Sequence, residues 1–227
     1  WGNKDKDDQG NPKKTDRNAM TGMALLAYLG HCELQDSPTF GPTVQKGIDF
    51  LTSTPPDPAI IGGAGSYSHP IRAYALCEAY TMTKIPKLKE YAKRASEHIV
   101  KGQNESGGWA YGYGKGPVAH TDLSVTGWNI QALKAAALTG ISIDGLDEAM
   151  DKAIAYTKRC QDQSGKFAYK EGTGGKASLT GTGVLCLQIW KNAKSEEATK
   201  GLDWITTNMA TDWKNINVYE WYYHAQA

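Results

Sequence analysis

Two kinds of apolar pattern alternate along this chain. In the first, a small-residue step opens a stretch rich in Ala and Leu with few charges, as in Thr21-Gly22-Met23-Ala24-Leu25-Leu26-Ala27-Tyr28. It returns as Arg72-Ala73-Tyr74-Ala75-Leu76-Cys77-Glu78-Ala79, as Thr126-Gly127-Trp128-Asn129-Ile130-Gln131-Ala132-Leu133 and as Thr182-Gly183-Val184-Leu185-Cys186-Leu187-Gln188-Ile189. A helix with apolar residues around most of its circumference belongs in an interior. In the second kind, apolar residues recur at helical spacing and charges hold the opposite face: Gly47-Ile48-Asp49-Phe50-Leu51, Ala95-Ser96-Glu97-His98-Ile99, Ala153-Ile154-Ala155-Tyr156-Thr157 and Gly201-Leu202-Asp203-Trp204-Ile205. Lys87, Lys89, Glu90, Lys93 and Arg94 mark a solvated face on one of them.

The alternation predicts buried and exposed helices in turn, over 16–30, 42–54, 70–83, 86–102, 122–139, 145–161, 178–193 and 196–209, with a ninth beginning near 218. Punctuation agrees. Pro42 and Pro86 fall where a first-turn proline is tolerated. Ser195-Glu196-Glu197 reads as a capped, acidic helix start. Gly30, Gly102 and Gly140 fall near helix ends. The segment from Gly107 to Ala119 is glycine-rich and is expected to hold short strand-like turns. The fold class is therefore all-α, with a polar leader over 1–15 and one repeat domain over 16–227. Its units run 16–68, 69–119, 120–175 and 176–216, with the start of a fifth at 217–227.

Two outer helices end alike. Gln103-Asn104-Glu105-Ser106-Gly107-Gly108-Trp109-Ala110-Tyr111 and Gln161-Asp162-Gln163-Ser164-Gly165-Lys166-Phe167-Ala168-Tyr169 both fit Gln-x-x-x-Gly-x-Trp/Phe. The glycine permits a tight turn, the aromatic folds back, and the glutamine amide can satisfy orphan backbone groups. This motif resembles the repeat of squalene and hopene cyclases and of protein prenyltransferase β-subunits, over most of 16–227. The resemblance implies an α/α toroid, with inner and outer helix layers built from tandem helical hairpins and a cavity at the centre. A closed ring in that family needs more helix pairs than are counted here, and the sequence stops inside an inner-type helix, so an incomplete ring or a piece of a longer protein is expected.

The chemistries the resemblance implies do not carry over. Hopene-type cyclases protonate an alkene with Asp-x-Asp-Asp at an inner helix start. Asp5-Lys6-Asp7-Asp8 matches that string within the polar leader, where nothing desolvates it. At the matching register stand Arg17-Asn18-Ala19-Met20 and Asp122-Leu123-Ser124-Val125, where only Asp122 remains, and it reads as a helix N-cap. The β-subunits hold zinc through Asp-x-Cys and a later histidine. No Asp-x-Cys occurs, and His224, the nearest echo, reads as a hydrogen-bonded histidine at a helix interface. Complement-like thioester domains join Cys to Gln across three residues. Cys32-Glu33-Leu34-Gln35 has the spacing without the glycine and reads as coincidence. Polysaccharide lyases also use helical toroids, with basic and aromatic residues on uronates. Seven tryptophans and twelve tyrosines supply aromatics, but no Arg/Lys/Tyr constellation stands out.

Composition narrows the rest. With 227 residues, 40% hydrophobic and 22% charged, the chain can bury a sizeable core. A formal charge of +1 points to neither nucleic acid nor an anionic membrane. No apolar run is long enough to span a bilayer, and any export signal would precede residue 1. Cys32, Cys77, Cys160 and Cys186 form no Cys-x-x-Cys pair, so four free thiols and no metal or cofactor are expected.

If a site exists, the residues expected at its mouth are Tyr67, His69, Arg72, His120 and Asp122. Glu78, Trp128 and Asn129 would line the wall, Tyr111 and Tyr113 lie on the glycine-rich loop, and Tyr222 and His224 lie on the last helix. The leading expectation is a module that binds a small apolar or saccharide ligand, or a protein partner. The alternative is an enzyme on the same scaffold, terpenoid cyclase-like or polysaccharide lyase-like.

Overall fold

The computed structural model describes residues 16–53, 65–113, 120–210, 212–215 and 217–227. The expected leader, with Asp5 to Asp8, lies outside them. Among the described residues the chain is all-α: α1 (Arg17–Gly30), α2 (Gly41–Leu51), α3 (Gly65–Thr83), α4 (Pro86–Gly102), α5 (Leu123–Leu138), α6 (Leu146–Arg159), α7 (Ala177–Ile189), α8 (Glu196–Asn208) and α9 (Val218–His224). All nine expected helices are present. The largest departure is α3, which begins at Gly65 rather than at Pro70. Pro70 is the sixth residue of α3 and gives up one intrahelical bond there, which the helix tolerates. Of the segment expected to hold strand-like turns, 114–119 lie outside the described residues; among the described ones Ala110 bridges to Thr121, and a second single bridge joins Gln161 to Phe167.

The chain divides into two compact units: Trp1–Lys101 with Ala135–Asp144, and Gly102–Lys134 with Gly145–Ala227. In the first, α1 packs on α3 and α2, and α2 on α3. α3 buries Ile71, Ala73, Ala75, Leu76, Cys77 and Ala79, as an inner helix should, whereas the apolar residues α4 buries form one stripe, Leu88, Ala92, Ala95 and Ile99, with Ser96 beside it. The α1–α3 crossing is close because Gly22 has no side chain: a Cβ there would lie 3.0 Å from the Ile71 Cγ2.

In the second unit α7 packs on α8, α9 and α6. Every residue of α7 from Leu179 to Leu187 is buried. Here the repeat register differs by two residues from the one the sequence suggests. Thr180-Gly181, not Thr182-Gly183, plays the part of Thr126-Gly127. The Thr126 hydroxyl accepts the Trp109 backbone N–H at 3.0 Å, and the Thr180 hydroxyl accepts that of Phe167 at 3.4 Å. Gly127 admits Thr182 of α7, and Gly181 admits the backbone of Tyr223 and His224 on α9. Gly183 makes room for the Phe167 ring. Two overlapping Thr-Gly steps serve four contacts, which is why pattern alone selected the wrong one.

The Gln-x-x-x-Gly-x-aromatic turn is a clamp. The Gln103 amide donates to Gly107 O at 2.8 Å and to Ala149 O of α6 at 2.7 Å. The Gln161 amide donates to Gly165 O at 2.9 Å and to Glu197 O of α8 at 2.8 Å. Asn104 and Asp162 close each turn, their side-chain oxygens accepting the N–H of Ser106 and Ser164. Trp109 and Phe167 are fully buried beneath it.

Gly107 and Gly165 have φ of +95° and +88°, and a Cβ would lie 2.4 Å from Lys152 O and 2.8 Å from Lys200 O. Gly140 has φ +76° but open space around it. Replacing Gly107 or Gly165 by Ala should therefore cost about 2–4 kcal/mol, against about 1 kcal/mol for Gly140→Ala. Denaturant unfolding of the three variants measures this; equal losses would contradict the clash.

Candidate functional site

Four of the twelve sequence-derived candidates lie in the first unit. His69 is buried, and its Nε2 bonds Ala95 O of α4 at 2.9 Å. Its ring meets that of His98 edge-on at 4.8 Å. Burial, with smaller contributions from the facing His98 and Arg72, lowers its pKa to about 3, so the ring is neutral. Arg72 is 2% exposed and donates from Nε to Leu51 O at 3.0 Å and from Nη2 to the same oxygen. Its guanidinium also lies 6.0 Å from the Tyr91 ring, whose hydroxyl donates to Thr52 O at 2.9 Å. These groups thus cap the carbonyl end of α2. Glu78 is half-buried on α3, and desolvation raises its carboxyl above the usual range. Tyr67 is half-buried near the start of the same helix.

The second unit gathers more. Asp122 caps α5: its Oδ1 accepts the Ser124 N–H at 2.7 Å and the Ser124 hydroxyl at 2.5 Å. Trp128, one turn and a half on, is 6% exposed and stacks with Tyr222 of α9, ring centroids 6.3 Å apart at 24°. Tyr223 meets the same indole edge-on at 6.2 Å. Tyr222 remains 42% exposed, so it presents an aromatic face outward. Asn129 accepts the Tyr113 hydroxyl at 2.7 Å and donates to Val125 O at 2.9 Å. His224 is buried, with Nε2 on Ala177 O at 3.1 Å and the Trp204 ring 6.4 Å away. Tyr111 and His120 are exposed.

Sequence reasoning missed three members of this cluster. The hydroxyls of Thr182, Tyr219 and Tyr223 are buried without a hydrogen-bond partner. Those of Tyr219 and Thr182 lie near each other, outside bonding geometry. Burial pushes the Tyr219 phenol up to about 12, and the Tyr223 and Tyr113 phenols well above their ordinary range. The signal was present: Tyr219 and Tyr223 are four apart, on one face of a helix.

The chemical capacity of the cluster follows. A general acid or base works best with a pKa near the operating pH. These phenols are held protonated, His69 is held neutral, and Asp122 is occupied as a cap. Burial raises the Cys77, Cys160 and Cys186 thiols to about 12, 11 and 12, whereas Cys32 is exposed. All four are free. Among the described residues no group of three His, Cys, Asp or Glu is placed to hold a metal ion, and no helix is long and apolar enough to cross a membrane. What the cluster offers is an aromatic face, the exposed Tyr222 ring resting on Trp128.

No protein-family model matches the chain, and no curated protein matches it significantly. Among solved structures the chain is similar to a polysaccharide lyase, with a TM-score of 0.65 and 13% identity over 91% of this chain and 67% of that one. At that identity the likeness is one of fold. It fits an α/α toroid and leaves the chemistry to be argued from the residues.

Two outcomes follow from the titratable groups. The unfolded chain binds a proton at His69 as pH falls below about 6.5, while the native state resists it down to about 3. This contribution to stability is complete above 6.5 and is lost progressively as pH falls through that window. His69→Gln should lower stability at neutral pH and flatten this part of the stability–pH curve; a slope equal to that of the parent would contradict the assignment. Second, a thiol reagent at neutral pH should titrate Cys32 alone, with Cys77, Cys160 and Cys186 reacting only after unfolding.

Proposed function

We propose that this chain is a divergent member of the helical repeat family of squalene/hopene cyclases and prenyltransferase β-subunits, and that it acts as a ligand-binding module without the inherited chemistry of either. The ligand class proposed is a saccharide. The observation that carries the reading is the pairing of a buried indole, Trp128, with an outward-facing Tyr222 ring. Flat aromatic faces receive the apolar face of a sugar ring. The Gln turns that carry the family resemblance serve packing, so their retention does not require retained catalysis.

A second reading, an enzyme of the polysaccharide lyase kind, draws on the fold likeness alone. It requires a base near the uronate α-proton, whereas Tyr219 and Tyr223 are held protonated and Asp122 caps a helix.

Calorimetric titration with neutral and uronate oligosaccharides distinguishes the two. The binding reading expects saturable binding that weakens about tenfold in Tyr222→Ala, with no unsaturated uronate product in the ultraviolet. Absence of binding, or binding indifferent to Tyr222, would overturn it. Accumulation of unsaturated product would establish the enzyme instead.

A further inference from the structure

The first unit carries a second feature, remote in chemistry from the aromatic cluster. A cleft of about 250 Å³ opens between α1 and α2, lined by Thr21, Thr43, Lys46, Gly47 and Phe50. Arg17 stands beside it, its guanidinium carbon 5.1 Å from the centre of the Phe50 ring. The cleft has an apolar wall, a floor widened by the missing side chain of Gly47, and two cations at its edge. Neither Arg17 nor Lys46 makes an ion pair among the described residues. The neighbouring carboxylates are turned to other tasks: Asp16 accepts the Ala19 N–H, and Asp49 accepts the Gln45 amide. Thr21 is 2% exposed, yet its hydroxyl makes no hydrogen bond among the described residues and lines the cleft.

A further cation lies beyond the cleft, at the carbonyl end of the same helix. The residue after Phe50 is Leu51, whose carbonyl accepts from the buried Arg72 guanidinium. A buried cation is ordinarily matched by an anion, because the desolvation cost is otherwise large. Among the described residues Arg72 has a neutral carbonyl instead. The Arg72 charge is thus met by the negative carbonyl end of the α2 dipole, with no carboxylate bonded to it among the described residues.

We propose that the α1/α2 cleft binds a small carboxylate with an apolar ring or chain. The carboxylate sits between the Arg17 and Lys46 head groups, the body lies against Phe50 and Gly47, and the Thr21 hydroxyl donates to the ligand. The volume suits a single ring. Neither cation suffices alone, since exposed charges act weakly singly. Specificity comes from joining charge to the apolar wall, so an uncharged isostere or a bare inorganic anion each loses one half of the recognition.

Amide spectra of the whole ¹⁵N-labelled chain, titrated with benzoate, benzyl alcohol and sulfate in turn, test this. The expected result is saturable shifts confined to α1 and α2 with benzoate. Affinity should fall about fivefold or more for benzyl alcohol, for sulfate, and for the Arg17→Gln/Lys46→Gln double variant. Each single variant is measured as well, so a folding defect in the double does not blunt the test. Absence of saturable shifts, equal affinity for benzyl alcohol, or indifference to both substitutions would overturn the proposal. Sulfate binding as tightly as benzoate would mark an adventitious ion only and would overturn it too. Saccharide-induced shifts in α9 report on the other site, so the two readings stand or fall separately.

Discussion

A helix that ends inside a stack of helices leaves carbonyls with no intrahelical partner, and burying them unpaired is costly. In this chain long side chains from elsewhere in the same unit meet that demand. Gln103 and Gln161 each hold a carbonyl of the turn that follows their helix, and each adds a bond to a first-turn carbonyl of the next outer helix, Ala149 or Glu197. At the end of α2, where the Gln turn is degenerate, Arg72 and Tyr91 take the carbonyls of Leu51 and Thr52. Beyond α8 the Trp221 indole N–H donates to Ala210 O at 3.0 Å. Different side chains solve one problem, and each ties a helix end to a neighbouring element. Turn closure and helix-to-helix spacing are thus set by the same bonds.

This constraint separates what pattern can reveal from what it cannot. Inner and outer helices were legible because burial is written in apolar periodicity: α7 is buried from Leu179 to Leu187, while α6 leaves its charged face to solvent. The Gln turn was legible because glycine, amide and aromatic each have a local reason to be there. Asp122 was legible as a cap for the same reason. The register of α7 was not, since Thr180-Gly181 and Thr182-Gly183 look alike until the partners across the helix crossing are known. Nor was the direction of Arg72 and His69. Sequence places them at an inner helix start; packing turns them onto the carbonyls of α2 and α4.

The same packing bears on function. In the first unit two polar residues that look like site groups in the sequence, His69 and Arg72, are occupied with backbone carbonyls. In the second unit the buried tyrosines are held protonated, and an outward aromatic, Tyr222, rests on Trp128. A scaffold whose polar side chains are committed to helix ends has few groups to spare for proton transfer, while its aromatic surface stays free for contact. The likeness in fold to a polysaccharide lyase is compatible with this division, because fold and chemistry are set by different residues.

The claim that one glutamine amide holds both a turn and the next outer helix is tested most directly by native-state hydrogen exchange on Gln161→Ala. Loss of both Gln161 bonds should lower protection in the 162–167 turn and the first turn of α8 together, while the Leu123–Leu138 helix keeps its protection. Unchanged protection at either place, or a uniform loss across the chain, would contradict it.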